Sequence, residues 1–438
     1  MQVQFLPGEL ANPDEGSDMS DDDSIDGRQG PVVIILAAGE GSRMKSVQSK
    51  ILHTIGGHSL LHHVMSAVEG VHPSQVVTVI GCQSEQVRAH LSEIAPGVKI
   101  ALQERPLGTA DAVRAGLTVL QGVSDDTPVI VLYADQPLVQ ATTLLTMVEK
   151  HHRDRDVVTV LADSRSTGLV DEELILDAVL VFDFGPLLNG LAACDDLALE
   201  VVVAEAKSAG SQVGVFSTDD HWQTSGVDDR VELAAINAEY NRRQVNHWMR
   251  AGVTVIDPAT TWIEADVDLS ADVTLLPGTT LAGATSVAAG ATIGPETTIK
   301  DSEVGEGAII TRSTVELAVI GAGSTVGPYA RLRPGTQVGQ DGTIGTFVET
   351  KNAILGDRAR LGHLTYLGDA SLGEAVDVGA SVVFANWDST NKAVVEIGSG
   401  AVIGAGTLVV PPVQIDGQTV VQPGTTIKPS TKKAEADQ

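Results

Sequence analysis

The sequence predicts two domains of different class in one chain: an α/β domain organised on a parallel sheet and, after it, a parallel β-helix. Three observations predict this. Between about Leu269 and Ile427 an aliphatic residue returns at every sixth position, through Leu269, Leu275, Leu281, Val287, Ile293 and Ile299, then Ile320, Val326, Leu332, Val338 and Ile344, and later Ile397, Ile403, Val409, Ile415, Val421 and Ile427. Ahead of that stretch, continuous apolar runs alternate with segments of helical periodicity. Aromatic residues make up only 3% of a chain that is 43% hydrophobic, so the second core must be filled by Val, Ile, Leu and Ala.

A period of six matches neither the helical repeat nor the alternation of a half-buried strand. Three short strands per coil, each turning one aliphatic inward, do satisfy it, and a coil then takes about eighteen residues. Stacked coils pair their strand edges with the next coil, and the inward residues form one continuous core. Gly, Ala, Thr and Pro fill the places between.

The chain has 438 residues, a length that suggests two to three domains. Its formal net charge of -29 argues against nucleic acid and against anionic membrane surfaces as partners. An anionic substrate must therefore be met by local basic residues. No apolar run approaches a membrane span, and the first residues lack a basic region followed by an apolar one, so the reading is a cytoplasmic protein. Two cysteines, Cys82 and Cys194, make no disulfide framework and read as small buried hydrophobes.

Residues 1–30 set Glu9, Asp14, Glu15, Asp18, Asp21, Asp22, Asp23 and Asp26 against the single base Arg28, and read as a disordered acidic tail within which Met19 offers an alternative start. The α/β domain is expected over 31–230. It opens with Val32 to Leu36, an apolar run of the kind a central parallel strand shows, which leads into Ala37-Ala38-Gly39-Glu40-Gly41-Ser42-Arg43-Met44. A buried strand entering a loop of small residues lets backbone N–H groups approach a phosphate or base, although Gly-x-Gly alone also suits a plain tight turn. Strand-like runs at Val76 to Ile80 and Val129 to Tyr133 alternate with helical stretches at Leu60 to Val68, Ser84 to Ile94 and Ala110 to Leu120, the order of a βαβ sheet. Two further loops, Gln103 to Thr109 and Tyr133 to Leu138, fall at the carboxyl ends of strands. There Asp135 is well placed for a hard-metal ligand, although an aspartate taken alone at such a position is more often a helix or turn cap.

The loop from Leu36 through Gly39 and Arg43 to Lys50, the loops at Gln103 to Thr109 and Tyr133 to Leu138, and the hexapeptide repeat together resemble a bacterial family. It is the family of bifunctional N-acetylglucosamine-1-phosphate uridylyltransferases/glucosamine-1-phosphate acetyltransferases, and the likeness runs over roughly Val32 to Lys428. The resemblance implies a Rossmann-like nucleotidyltransferase domain, a connecting helix and a left-handed β-helix. In the first domain it implies that Leu36, Ala37, Ala38 and Gly39 hold uracil and phosphates, that Gln103, Gly108 and Thr109 read uracil, and that Tyr133 lines the substrate site. Arg43 and Lys50 would stabilise the triphosphate, and Asp135 and Asp228 would bind substrate and Mg2+.

Several positions depart from the family. Ser49 replaces its proline, Ala134 its glycine, and Gly226-Val227-Asp228-Asp229-Arg230 its Gly-Val-Asn-Asn-Arg. The segment from Asp163 to Phe182 is short: only Thr167-Gly168 remains of a TGYGRI motif, and Leu176 stands for a sugar-binding asparagine. The resemblance therefore carries an expectation that uridylyl transfer is weak and limited by the sugar.

From Val231 to Arg250 the residues Leu233, Ile236, Tyr240 and Trp248 keep approximate helical spacing, with Gly252 placed to stop the helix. This reads as a linker helix over 231–256 or as a surface helix of the first domain. The β-helix is expected over 257–430, and a disordered tail over 431–438.

The repeat holds a single histidine, His363, which taken alone reads as structural. Arg333 and Lys351 differ by eighteen positions, one coil, so two cations stack on one face as a sugar phosphate requires. Transfer of an acetyl group to an amine needs a base to free the nitrogen, and histidine is the usual choice. The resemblance makes His363 that base, with Arg333, Lys351, Tyr366, Asp377 and Asn386 around the sugar phosphate. It gives Ala380, Asn386, Trp387, Ala405 and Pro423 to acetyl-CoA. Here Asp377 replaces an asparagine, Trp387 a tyrosine, Ala405 a serine and Pro423 an alanine, and the basic tail is cut short after Lys433.

The function so implied is synthesis of UDP-N-acetylglucosamine, a precursor of cell-wall polymers, from glucosamine 1-phosphate and acetyl-CoA, then N-acetylglucosamine 1-phosphate and UTP, by a homotrimer whose acetyl-CoA clefts are shared between subunits. Two rivals remain: an acetyltransferase with a vestigial uridylyltransferase domain, and a non-catalytic nucleotide-binding scaffold.

Overall fold

The structure is a computed structural model that describes residues 30–81, 84–165, 178–193, 198–386 and 393–429. The acidic segment before residue 30, the tail after 429, Cys82, Cys194, Thr167, Gly168, Leu176 and Trp387 lie outside the described residues. The chain divides into two compact units, Met1–Tyr240 and Asn241–Gln438.

The first unit is built on a seven-stranded sheet in the order Lys99–Gln103, Gln75–Gly81, Val32–Ala37, Pro128–Tyr133, Leu180–Asp183, Val158–Asp163, Val213–Thr218. Leu180–Asp183 runs antiparallel to both neighbours, and the others run parallel to one another. Val32–Ala37 is central and covered on both sides: Val32, Ile34 and Leu36 enter one core and Val33, Ile35 and Ala37 the other, which is why its sequence is an unbroken apolar run. Helix Leu60–Glu69 begins at Ser59, whose hydroxyl accepts from the His62 N–H at 3.0 Å. The helix expected at Ala110 to Leu120 instead covers Thr109–Leu117. Thr118 turns its hydroxyl back on the Ala115 carbonyl at 2.7 Å, and Val119 and Leu120 serve the core from a loop and not from another helical turn.

A single helix of 21 residues, Arg230–Arg250, follows, and Gly252 with φ 98° ends it. The two units divide within this helix, at Tyr240.

The second unit is a parallel β-helix, with strands stacked into one ten-stranded and one seventeen-stranded sheet, the all-parallel ladders of the left-handed hexapeptide type. Its inward positions, among them Leu275, Leu281, Ile293, Ile299, Leu332 and Ile403, have no solvent exposure. Buried Thr and Ser side chains at the corners satisfy carbonyls that no strand reaches: Thr279 donates to Leu276 at 2.7 Å and Thr407 to Gly404 at 2.6 Å. The coils are less regular than the period of six suggests. Thr274 pairs with Thr292, Thr292 with Ile309 and Ile309 with Thr325, steps of 18, 17 and 16 residues, whereas Asp377 pairs with Val402, a step of 25. Only the strands must stay in register, so corners absorb the lost residues and the longest coil takes its extra ones between Phe384 and Val395. Among the described residues no helix is long and apolar enough to cross a membrane.

Two candidate active sites

Strands Val32–Ala37 and Pro128–Tyr133 are hydrogen-bonded neighbours, so the loops that leave their carboxyl ends begin side by side, joined by the Ala134 N–H to the Leu36 carbonyl at 3.0 Å. This is where a sheet of this class carries its chemistry. Leu36 and Ala37 are buried, Ala38 is half-buried and Gly39 is exposed with open space above its Cα. Gly41 has φ 60°, and a Cβ there would fall 2.6 Å from the Lys50 Cβ, so glycine is what lets Lys50 pass beneath the loop.

Lys50 is the centre of the first site. Its ammonium touches the Asp135 carboxylate and lies 3.1 Å from Oδ1 of Asp228, and the exposed Arg43 guanidinium reaches that same oxygen at 2.8 Å. Burial alone lowers the lysine pKa, but Asp135 and then Asp228 outweigh it and hold the group above its ordinary value, fully charged. Asp228 is fixed from behind, its N–H donating to Glu232 at 2.6 Å, and Asp135 by its carbonyl, which accepts from Val227 at 3.0 Å. Four of the expected residues, Arg43, Lys50, Asp135 and Asp228, thus converge from three loops.

The Gln103 loop leaves the same sheet two strands away from Val32–Ala37, at the carboxyl end of Lys99–Gln103. Gln103 is buried, and its amide donates to the Gly108 carbonyl at 3.0 Å and to Asp111 at 2.8 Å, which closes the loop over the start of helix Thr109–Leu117. Thr109 accepts from the Leu199 N–H at 3.0 Å. Tyr133 ends strand Pro128–Tyr133 and is half-buried.

In the β-helix, Arg331 and Leu332 pair with Glu349 and Thr350, so Arg333 and Lys351 occupy adjacent rungs as their spacing predicts. The next rung sets Tyr366 beside Glu349 and Gly368 beside Lys351. Arg333 is braced by Glu349 at 2.9 Å. Gly368 is a required gap: a Cβ there would stand 2.6 Å from the Tyr366 hydroxyl and 2.7 Å from the Asn386 amide nitrogen. Arg333, Lys351, Tyr366 and Asn386 therefore border one hollow on the seventeen-stranded sheet. Asp377 does not join them. It lies on the ten-stranded sheet, paired with Arg360 and Val402, on another face of the same chain.

His363 stands at a corner, exposed, and among the described residues its ring has no hydrogen-bond partner. Backbone bonds run down that corner from coil to coil: Ser381 N–H to the His363 carbonyl at 2.9 Å, Gly406 to Ala380 at 2.8 Å, Gly424 to Ala405 at 2.8 Å. His363, Ala380, Ala405 and Pro423 accordingly form one column, with Ala405 and Pro423 exposed. The chemistry available is an exposed ring nitrogen at the head of a column of small side chains.

Three side chains were not singled out from the sequence: Glu349, Asn352 and Asp369. Asp369 lies seventeen positions from both Asn352 and Asn386, so a search at coil spacing was the signal that finds it.

Comparison with known proteins agrees with both halves. Residues 33–170 match the family model of the MobA-like NTP transferase domain. The chain is 40% identical over 427 residues to the bifunctional protein GlmU of Kineococcus radiotolerans, covering 90% of this chain and 87% of that protein. It is 40% identical over 416 residues to the protein of the same name from Pseudarthrobacter chlorophenolicus, covering 87% and 85%. With that of Cutibacterium acnes it shares 42% over 388 residues, covering 80% and 91%. An identity of this size that runs through both units, on a chain whose first unit gathers two bases and two carboxylates at strand ends and whose second is a hexapeptide β-helix, places this chain in the bifunctional GlmU family.

Proposed function

We propose that the chain makes UDP-N-acetylglucosamine in two half reactions, one in each unit, in the cytoplasm. The observation that carries the reading is the convergence of Arg43, Lys50, Asp135 and Asp228 at the ends of two adjacent strands.

In the acetyl half reaction the His363 ring takes a proton from the amine of glucosamine 1-phosphate as the nitrogen attacks the thioester carbonyl of acetyl-CoA. The C–N bond forms, the C–S bond breaks on collapse of the tetrahedral intermediate, and the leaving thiolate is protonated to free CoA. Arg333 and Lys351, stacked on adjacent rungs, hold the phosphate, and the hollow at Gly368 admits the sugar. The column of Ala380, Ala405 and Pro423 gives acetyl-CoA a smooth wall leading to His363.

In the uridylyl half reaction the loop from Leu36 to Gly39 and the Gln103 loop enclose the nucleotide. Arg43 and Lys50 offset charge on the triphosphate while the phosphate of N-acetylglucosamine 1-phosphate attacks the α-phosphorus and pyrophosphate leaves. Asp135 and Asp228 suit a magnesium ion. Both carboxylates already face one cation, the Lys50 ammonium, and oxygen donors are what a hard ion takes. Among the described residues no group of three or more His, Cys, Asp or Glu is arranged for a metal, so water and phosphate oxygens would complete the shell. Magnesium bound there would draw electron density from the phosphorus under attack.

The acetyl site is incomplete in one copy, because Asp377 lies on a different face from Arg333, Lys351 and Tyr366. A homotrimer packed through the β-helices supplies the missing wall. An exposed apolar ridge beside His363 supports this packing: Tyr329 and Phe347 stack with ring centroids 5.3 Å apart, and Leu364 follows them on the next coil.

Separate assays of the two half reactions test the reading. His363→Ala should lower acetyl-transfer turnover by the 10²–10⁴-fold typical of a lost general base and leave uridylyl transfer unchanged. Absence of acetyl transfer in the unsubstituted chain, or its persistence in the variant, overturns it. Light scattering that finds an active monomer overturns the trimer.

A further inference from the structure

Asn352, Asp369 and Asn386 occupy the same corner in three successive coils, bracketed by the pairs Lys351 with Gly368 and Ala353 with Ala370. The Asp369 carboxylate accepts from both asparagines: Oδ1 takes the Asn352 amide N–H at 2.7 Å, and Oδ2 takes that of Asn386. A carboxylate has only acceptors to offer, so each amide must turn its nitrogen toward it. An isolated asparagine side chain has no such preference, since exchanging its oxygen and nitrogen changes the shape hardly at all.

The Asn386 nitrogen is also the atom beside Gly368, 2.7 Å from where a Cβ would stand. One of its two hydrogens goes to Asp369. For the other, the described residues show no acceptor, and the nitrogen that carries it borders the same gap at Gly368 as the Tyr366 hydroxyl. We infer that Asp369 is a positioning residue for acetyl transfer, which orders Asn386 so that an N–H donor and not the amide oxygen stands over Gly368. The group it would meet is an acceptor oxygen of the substrates: a sugar hydroxyl, a phosphate or the thioester carbonyl as it gains charge. This rests on the reading of the β-helix as the acetyl-transfer site.

Asp369 has φ 46° and Asn352 φ 45°, a left-handed backbone that Asp and Asn both adopt readily. Asp369→Asn therefore keeps the corner while it removes the obligate acceptor, and either amide is then free to reverse. In the full chain this variant should lower kcat/KM for acetyl transfer by about ten- to a hundredfold, the size of a lost charge-assisted hydrogen bond, with uridylyl transfer as the internal control for folding. Asn386→Ala should cost a similar factor. Added to Asn386→Ala, Asp369→Asn should cost less than about twofold more, because the group it orders is gone. Losses that multiply in the double variant, or acetyl transfer within about twofold of the parent in Asp369→Asn alone, overturn the inference and leave the proposed function standing. If the parent chain itself transfers no acetyl group, the proposed function fails, and the inference with it.

Discussion

Lys50 and Asp135, 85 positions apart in sequence, meet in a direct ion pair at the ends of two adjacent strands. Asp228 closes on the same ammonium at 3.1 Å. One lysine thus holds together the two carboxylates that would otherwise repel each other at the proposed nucleotide site.

Replacing that lysine by methionine keeps the volume and removes the charge. Lys50→Met should lower uridylyl transfer by roughly 10²–10³-fold, as expected for one lost electrostatic donor, and leave acetyl transfer unchanged. Magnesium should bind the variant at least as tightly as the parent, since the competing cation is gone. Titration calorimetry checks this, and weaker magnesium binding would contradict the placement of Asp135 and Asp228.

Ala405 is exposed in the column below His363, where the family resemblance gives a serine. Ala405→Ser restores one hydroxyl donor without touching the core. A single neutral hydrogen bond is worth about 0.5–1.5 kcal/mol, so KM for acetyl-CoA should fall roughly two- to tenfold. Unchanged KM would mean that this rung does not reach the ligand.

By family resemblance the segment between Asp163 and Phe182 is short where sugar contacts are expected, so its effect is expected on the sugar and not on the nucleotide. UTP should bind with ordinary affinity, while the requirement for N-acetylglucosamine 1-phosphate should rise by roughly ten- to a thousandfold, the effect of two or three lost hydrogen bonds. Steady-state kinetics with each substrate varied in turn separates the two. A specificity constant for the sugar equal to that of a relative with the longer segment would refute this.

His53 gives a stability prediction. Its Nε2 is buried and has no hydrogen-bond partner among the described residues, and burial, followed by the charge of Arg230, lowers its pKa below 6.5. The unfolded chain then takes the proton more readily than the folded one. Folding stability from this group is fully present above about pH 6.5 and is lost as the pH falls through the lower, folded value. Thermal unfolding between about pH 7 and 5 should show a smaller decline in His53→Asn than in the parent, and equal slopes would dismiss the contribution of His53.

Much of the architecture was readable because it rests on periodic burial. The central strand Val32–Ala37 announces itself by apolar residues on both faces, and the β-helix by one inward aliphatic per strand. Corner length shows only as a break in the count: the steps of 16 and 25 residues leave pairing intact but move inward residues off the sixth position, as at Val304, Ile310 and Val315 between Ile299 and Ile320. Likewise, Arg43, Lys50 and Asp135 stood out as charges beside strand ends, and Arg333 with Lys351 by their spacing. Asp369 did not, because an aspartate in a corner looks like any turn residue until its two asparagine partners are placed on either side. Asp377 entered by family resemblance and not by spacing, and within one chain the fold sets it on a different face from Arg333, Lys351 and Tyr366.

The corner that carries His363, Ala380, Ala405 and Pro423 is held from coil to coil by backbone bonds and by buried threonines such as Thr365, while His363, Ala405 and Pro423 are themselves exposed. Each rung can consequently be exchanged as an independent setting. A bulkier or more polar residue at one coil reshapes the groove at a single depth, leaving the settings above and below where they were. Under the proposed acetyl-transfer reading such a column is a ruler, on which the length and chemistry of an acyl carrier are matched coil by coil without the barrel that bears it being redesigned.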